Sequence, residues 1–332
     1  VSVSVLFIGG TGRISTSCVR EAVRQGMDVT VLNRGRTAER TLPAEVAILT
    51  GDANDPASVR EALADRTFDA VVNWVNFTPA QVQRDIELYA DRTGQYLFIS
   101  SASAYQTPPA SLPVTESTPL RNPYWQYSRD KIACEDLLVA AYRDTGFPAT
   151  IIRPSHTYDE TMLPFDGGWT VVERMRQGKP VIVHGDGTSL WTITHARDFA
   201  VGFTGLLGRD DAIGEAFHIT GDEAPTWNQI FGWVAEAAGA EPRLVHVPSD
   251  AIAAADPHWG AGLLGDKAHS MVFDNAKVKR LVPQFGLGAT PYKLGAREVI
   301  EWYDAHPEHQ TVDAEADRTM DWLADRYTPK AM

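Results

Sequence analysis

The chain has 332 residues, enough for one large or two fused domains, and its 44% hydrophobic content suits a globular core. Its 30 lysines and arginines against 43 acids leave a formal charge of −13, which repels phosphate backbones and argues against non-specific nucleic-acid binding. No apolar run approaches the roughly 18 residues needed to cross a bilayer, so no membrane partner is expected.

The first half alternates strand and helix patterns. Val3–Ile8 is a short apolar strand rather than a signal peptide. A helix over Ile14–Gln25 follows and stops at Gly26. Strands are expected at Asp28–Leu32, Val46–Thr50, Ala70–Asn73, Gln95–Ser101 and Ala149–Arg153. Between them lie helices at Ala57–Ala64, Pro79–Ala90 and Tyr124–Thr145. Strands joined through helices by short connections imply an α/β fold, a parallel sheet covered on both faces. Beyond Arg153 the pattern loosens. A helix near Thr170–Gln177, strands at Val181–His184 and Ala216–Thr220, and helices at Trp227–Ala238, Gly295–Ala305 and Ala314–Arg326 are expected. Asp250–Leu264 reads either as a mobile lid or as a surface loop with one buried tryptophan. Cys18 and Cys134 fall in helical patterns, so inert buried thiols in a reducing cytosol are expected.

Gly9-Gly10-Thr11-Gly12-Arg13-Ile14-Ser15 follows a strand and opens a helix. Glycines allow close backbone approach to a pyrophosphate, and the helix N-terminus presents N–H groups to it. Gly9, Thr11, Gly12, Arg13 and Ile14 are therefore candidate cofactor contacts. The second strand ends at Asn33-Arg34-Gly35, without the acid that reads a free ribose 2′-hydroxyl. Arg34, with Arg13, can pair with a 2′-phosphate, which favours NADP over NAD. Arg34 as a solvated loop residue is the competing reading. Asp52, with Ala53 beside it, is placed to accept from the adenine amino group or to cap the next helix.

Ser101 ends the fifth strand, and Tyr127-x-x-x-Lys131 opens the long helix, with both side chains on one face. A nearby ammonium and a positive nicotinamide lower a phenol's pKa, so Tyr127 is expected to exchange a proton while Ser101 holds the substrate oxygen. At this point the chain resembles the extended short-chain dehydrogenase/reductase superfamily, the NAD-dependent epimerase/dehydratase group. The resemblance also rests on Gly51-Asp52, Ile152-Arg153-Pro154-Ser155, Gly185-Asp186-Gly187, His195-x-x-Asp198 and Gly214–Ile219. It implies a Rossmann-type doubly wound sheet with a smaller mixed α/β C-terminal substrate domain. The dinucleotide-binding domain would take residues 1–155 with about 181–220 returning to it, and the substrate domain 156–180 and 221–332. It implies Ser101, Tyr127 and Lys131 as the catalytic triad, Lys131 also bonding the nicotinamide ribose. Trp74, Pro154 and His156 would stand beside the cofactor, and Ser103, His156 and Trp191 beside the substrate. A homodimer through the helices near Gln81–Ala90 and Lys131–Tyr142 is the family habit.

Four departures bear on the substrate. Trp74 stands where sugar-nucleotide members carry small residues. His156 replaces a substrate-binding Asn, and Trp191 replaces an arginine that grips a diphosphate. Ala102 and Ser103 stand where 4,6-dehydratases carry an Asp-Glu pair, so that elimination is not expected. Trp125, Trp169 and Trp259 are pocket or core residues, and no histidine spacing suggests a metal site. The readings left are an epimerase or oxidoreductase of a sugar, sugar nucleotide or similar small molecule, an NADP-dependent carbonyl reductase with exchangeable cofactor, and a non-catalytic RNA-binding relative.

Overall fold

The computed structural model describes residues 2–35 and 40–328. Strand β1 (Ser4–Ile8) leads into α1 (Arg13–Arg24), β2 (Asp28–Asn33), β3 (Ala47–Thr50), α2 (Pro56–Leu63), β4 (Ala70–Asn73), α3 (Pro79–Tyr89) and β5 (Tyr96–Ile99). A 3-10 turn (Ala102–Ala104) precedes α4 (Gln126–Thr145), β6 (Ala149–Pro154) and β7 (His156–Tyr158). Then come α5 (Trp169–Arg176), β8 (Pro180–His184), β9 (Ile193–His195), α6 (Ala196–Thr204), β10 (Ala216–Ile219), α7 (Trp227–Ala237) and β11 (Arg243–Val247). The chain finishes with α8 (Ser249–Ala255), α9 (Pro257–Gly262), a π turn (Leu263–Lys267), α10 (Ala276–Leu281), α11 (Tyr292–Ala305) and α12 (Ala314–Tyr327).

The main sheet has seven parallel strands in the order β3-β2-β1-β4-β5-β6-β10. The order reverses beside β1, so a crevice opens at the carboxyl ends of β1 and β4, where such sheets take their ligands. Strands buried on both faces are mostly apolar, as β1, β4, β5 and β6 are; the buried exceptions, Asn73 of β4 and Thr150 and Arg153 of β6, are hydrogen-bonded. On one face Cys18, Val19 and Ala22 of α1 pack with Phe199 and Phe203 of α6. On the other, Val59, Val82, Cys134 and Leu138 come from α2, α3 and α4. Each buried Val, Leu or Phe stabilises the fold by roughly 1.5–3 kcal/mol. The two cysteines sit on opposite faces of the sheet as buried free thiols.

A third core joins α5, α7, α11 and α12 to a parallel pair, β8 with β11. Residues 181–184, expected to rejoin the main sheet with the rest of 181–220, lie in this pair; β10 alone of that stretch's strands enters the main sheet. Their neighbours decide it: Val181 and Val183 face α12 and α7 residues in the third core. Helix α6 escapes the sequence reading because its cap is a histidine: His195 Nδ1 accepts from Arg197 N at 3.1 Å. Asp198 Oδ2 accepts from Thr290 N at 2.7 Å, which ties α6 to the segment before α11. Asp250–Leu264 is not a loop, although its one tryptophan is buried as expected. It folds as α8 and α9, with Asp256 capping α9 and Ile252, Trp259 and Leu263 in the core. Among the described residues no helix is long and apolar enough to cross a membrane.

Candidate active site

The glycine turn leaves β1 through Gly9, whose φ is +80°. A Cβ there would lie 2.7 Å from Val75 Cγ1, so only glycine fits without displacing the β4 end. Ser15 takes the place of a third glycine and does more than pack closely. Its buried Oγ accepts from Gly12 N at 2.8 Å and donates to Gly9 O at 2.9 Å, stapling the turn. Gly12 and Arg13 are exposed at the start of α1. A fixed turn with an open helix N-terminus fits a dinucleotide pyrophosphate.

Asn33 Oδ1 accepts from Gly35 N at 2.9 Å, which shapes the loop after β2. Arg34 and Arg13 are exposed and form no ion pair among the described residues. Asp52 does not cap α2; Asp55 does, accepting from Ala57 N. Asp52 uses Oδ1 on Asn54 N, while Ser58 Oγ accepts from Asp52 N, and Ala53 packs partly against the core.

At the carboxyl ends of β4, β5 and β6 lies a cavity of about 440 Å³ that brings together Ile14, Trp74, Ser101, Tyr127, Lys131 and Pro154. Ser101 follows β5 and receives Ser103 N on its hydroxyl. Hydroxyls then run Ser101–Ser103 at 2.8 Å and Ser103–Ser128 at 2.7 Å. Ser103, expected to touch substrate, lines the cavity, and its hydroxyl bridges those of Ser101 and Ser128. Lys131 Nζ donates to Asn76 O at 2.7 Å and Ile99 O at 2.8 Å. An ammonium has three donors, so one remains for a ribose hydroxyl. Burial draws the Lys131 pKa down to about 8.

Tyr127 sits one turn before Lys131, whose Nζ is 5.7 Å from the Tyr127 ring centre. Of the two positive charges expected to lower the phenol pKa, the ammonium by itself does not bring it down. Burial pushes it up, a hydrogen bond with Ser101 pulls it partly back, and the Asp266 carboxylate raises it again. Activation of this phenol therefore needs a positive charge that the side chains do not supply, such as an oxidised nicotinamide.

On the opposite wall stand His156 and Trp191. Burial holds the His156 imidazole neutral, with its pKa drawn down to about 3. Its Nε2 and the Nε1 of Trp191 are buried without a hydrogen-bond partner. Trp191 leans on Trp227, ring centres 5.7 Å apart, so its face is partly taken by the core. Trp74 Nε1 is also unpaired, while its ring packs on Phe203 at 5.2 Å. Of the other tryptophans only Trp125 lines this cavity, 4.9 Å from Tyr127; Trp169 and Trp259 belong to the third core. Among the described residues no group of three or more His, Cys, Asp or Glu is placed to hold a metal.

The structure adds residues that the sequence reading missed. Asp266 and Lys267, on the π turn, reach the cavity from more than a hundred positions beyond Tyr127, and no local pattern announces them. Asn122 is a buried clamp: its Nδ2 donates to Ser103 O at 2.9 Å and Gly265 O at 2.6 Å. Its Oδ1 accepts from Tyr124 N and Trp125 N, each at 3.1 Å. Asp85, buried in α3, accepts from Asn73, Asn76 and Tyr96, each at 2.7 Å, and so fixes the backbone that receives Lys131.

Comparison with known proteins agrees with this geometry. A 2'-dehydrokanamycin reductase of Streptomyces kanamyceticus is 27% identical over 304 residues, 90% of this chain and 84% of that protein. A chloroplast stem-loop binding protein of 41 kDa (b) of Arabidopsis thaliana is 28% identical over 255 residues, 73% of this chain and 65% of that protein. The solved epimerase Mth375 of Methanothermobacter thermautotrophicus shares the fold at a TM-score of 0.75 and 16% identity, covering 93% of this chain and 94% of that one. The model of the NAD dependent epimerase/dehydratase family matches residues 5–220. With that match spanning both the glycine turn and the Ser101–Tyr127–Lys131 cluster, the chain belongs to the NAD-dependent epimerase/dehydratase family of extended short-chain dehydrogenase/reductases.

Proposed function

We propose that this protein is an NADP-dependent oxidoreductase that reduces a carbonyl, or oxidises the matching carbinol, of a sugar-like small molecule that is not nucleotide-linked. The observation that carries this reading is the lining of the 440 Å³ cavity: it holds Ser101, Tyr127 and Lys131, yet no arginine stands where a diphosphate would need one. A relative matched over 84% of its own length is named a reductase. Bound at the glycine turn, the dinucleotide supplies or accepts the hydride. Ser101 Oγ holds the substrate oxygen. Tyr127 Oη gives that oxygen its proton on reduction and removes it in reverse. The third donor of Lys131 holds the nicotinamide ribose. Arg34 and Arg13 select the 2′-phosphate. With Ala102 and Ser103 beside Ser101, 4,6-dehydration is not the proposed reaction.

An epimerase that keeps its cofactor is the second reading, favoured by the family match itself. The purified protein separates the two. Protein free of bound dinucleotide that takes up NADPH reversibly, with stoichiometric NADPH consumption on a keto-sugar, supports the reductase; a retained, unconsumed cofactor supports the epimerase. The relative named for stem-loop binding motivates one control: labelled RNA at physiological salt, for which a chain of −13 charge is expected to show no affinity. We also propose a cytoplasmic homodimer through α3 and α4, tested by light scattering in solution.

A further inference from the structure

The substrate wall carries a carboxyl group that the proton-transfer scheme above does not use. Asp266 lies on the π turn, a geometry that recurs at functional sites, and lines the catalytic cavity. The turn is fixed from three sides. Asn122 Nδ2 donates to Gly265 O at 2.6 Å, His184 Nε2 donates to Lys267 O at 3.0 Å, and Ser189 Oγ donates to the same carbonyl at 3.3 Å. A Cβ on Gly265 would lie 2.7 Å from Trp125 Cβ, so the turn is pressed against the segment that carries Tyr127. The same Asn122 nitrogen holds Ser103 O, which ties Asp266 to the serine loop by one side chain.

The Asp266 carboxylate has no ion pair among the described residues. Lys267, its neighbour, lines the same cavity and a second crevice with Asp166, and it stabilises both carboxyls in the charged form, while burial pushes the Asp266 carboxyl up to about 7. The cavity that Asp266 and Lys267 line also carries the rings of Trp125, Trp191 and Phe273 and the Met271 side chain. A carboxylate among indole rings is the chemistry that recognises a desolvated ammonium, through charge pairing and the negative faces of the rings. The chain's −13 charge draws cations toward it.

We propose that Asp266 is the specificity-determining residue of this cavity and that it selects an amino-substituted sugar, holding its ammonium while Ser101 and Tyr127 face the reacting oxygen. This rests on the proposed sugar-like substrate. Trp191 Nε1 adds a donor and His156 Nε2 a further polar contact for the hydroxyls of the same ligand.

The test uses the full chain saturated with NADP and a panel of amino-sugar glycosides, each paired with its N-acetylated form. Binding is read by calorimetry and turnover by cofactor absorbance. The free amines are expected to bind about tenfold or more tighter than their acetylated partners. Asp266→Asn is expected to bring that ratio close to one, with melting temperature and NADPH affinity unchanged, and Asp266→Glu to restore part of it. Equal binding of amine and acetamide, no binding by any member, or a preference that survives Asp266→Asn in a folded variant overturns the proposal. Turnover without amine preference sinks this inference and leaves the oxidoreductase reading standing. Amine-selective binding without any cofactor-dependent turnover does the reverse.

Discussion

The two walls of the cavity are built by different means. On the cofactor side each functional group stands at or just past the end of a parallel strand, or one helical turn into α4: Gly9 after β1, Asn33 ending β2, Trp74 after β4, Ser101 after β5, then Tyr127 and Lys131. Their positions follow from the sheet, and Lys131 is further held by hydrogen bonds to the backbone carbonyls of Asn76 and Ile99. On the substrate side His156, Trp191 and Asp266 come from a short strand pair, a bridge and a π turn scattered over more than a hundred residues. Side-chain clamps hold that wall, Asn122 above all. A regular scaffold sets where the reaction happens, and an irregular one sets what enters.

This contrast can be broken or sharpened by substitution. Tyr127→Phe should lower kcat on an accepted substrate by about a thousandfold, the scale of one positioned proton donor, with NADPH affinity nearly unchanged. Retained turnover would remove the proton-transfer role from the cofactor-side wall. Asn122→Ala leaves two carbonyls and two amides without their partner, at a cost of about 1–3 kcal/mol. It should raise KM more than it lowers kcat, because the π turn loosens while the β5 end stays in the sheet; a kcat loss alone would mean that the two walls are not separable. Gly9→Ala forces a Cβ into a left-handed residue against Val75, and about 1–3 kcal/mol of strain should appear as a lower melting temperature and weaker cofactor binding.

Two smaller effects concern charge. The Lys131 pKa is drawn down to about 8, so its ammonium is lost as pH rises through that value. The neutral amine keeps two hydrogens, both already placed on Asn76 O and Ile99 O. NADPH affinity measured from about pH 7 to about 9 should therefore fall on the alkaline side, and Lys131→Met should remove that dependence. Arg34→Glu should shift the NADPH-to-NADH preference by about tenfold toward NADH, without touching kcat on either cofactor. An unchanged preference would pass the 2′-phosphate role to Arg13 alone.

The expected strands and helices of the first half lie where the alternation put them, because a sheet buried on both faces leaves its mark as short apolar runs. Helix α6 was not legible because histidine is not a usual cap. The helices over 249–262 were not, because an Ala-, Gly- and Asp-rich stretch carries a weak period. The placement of β8 beside β11 was not, because a strand's pattern does not name its neighbour. The hydroxyl chain through Ser103 was not legible for a related reason: Ser128 is a partner that sequence proximity alone does not reveal.

By itself the sequence determined the glycine turn, the order of the parallel strands' motifs, and the Ser101–Tyr127–Lys131 spacing. All of these are local: a turn, a strand end and one turn of helix. Only the tertiary structure decided that burial, not the neighbouring ammonium, sets the Tyr127 phenol. It alone placed Asp266 opposite that phenol and made Asn122 the link between the walls. Desolvation and clamps between distant segments depend on what the whole fold brings together, and that information is spread over the chain rather than written at any one position.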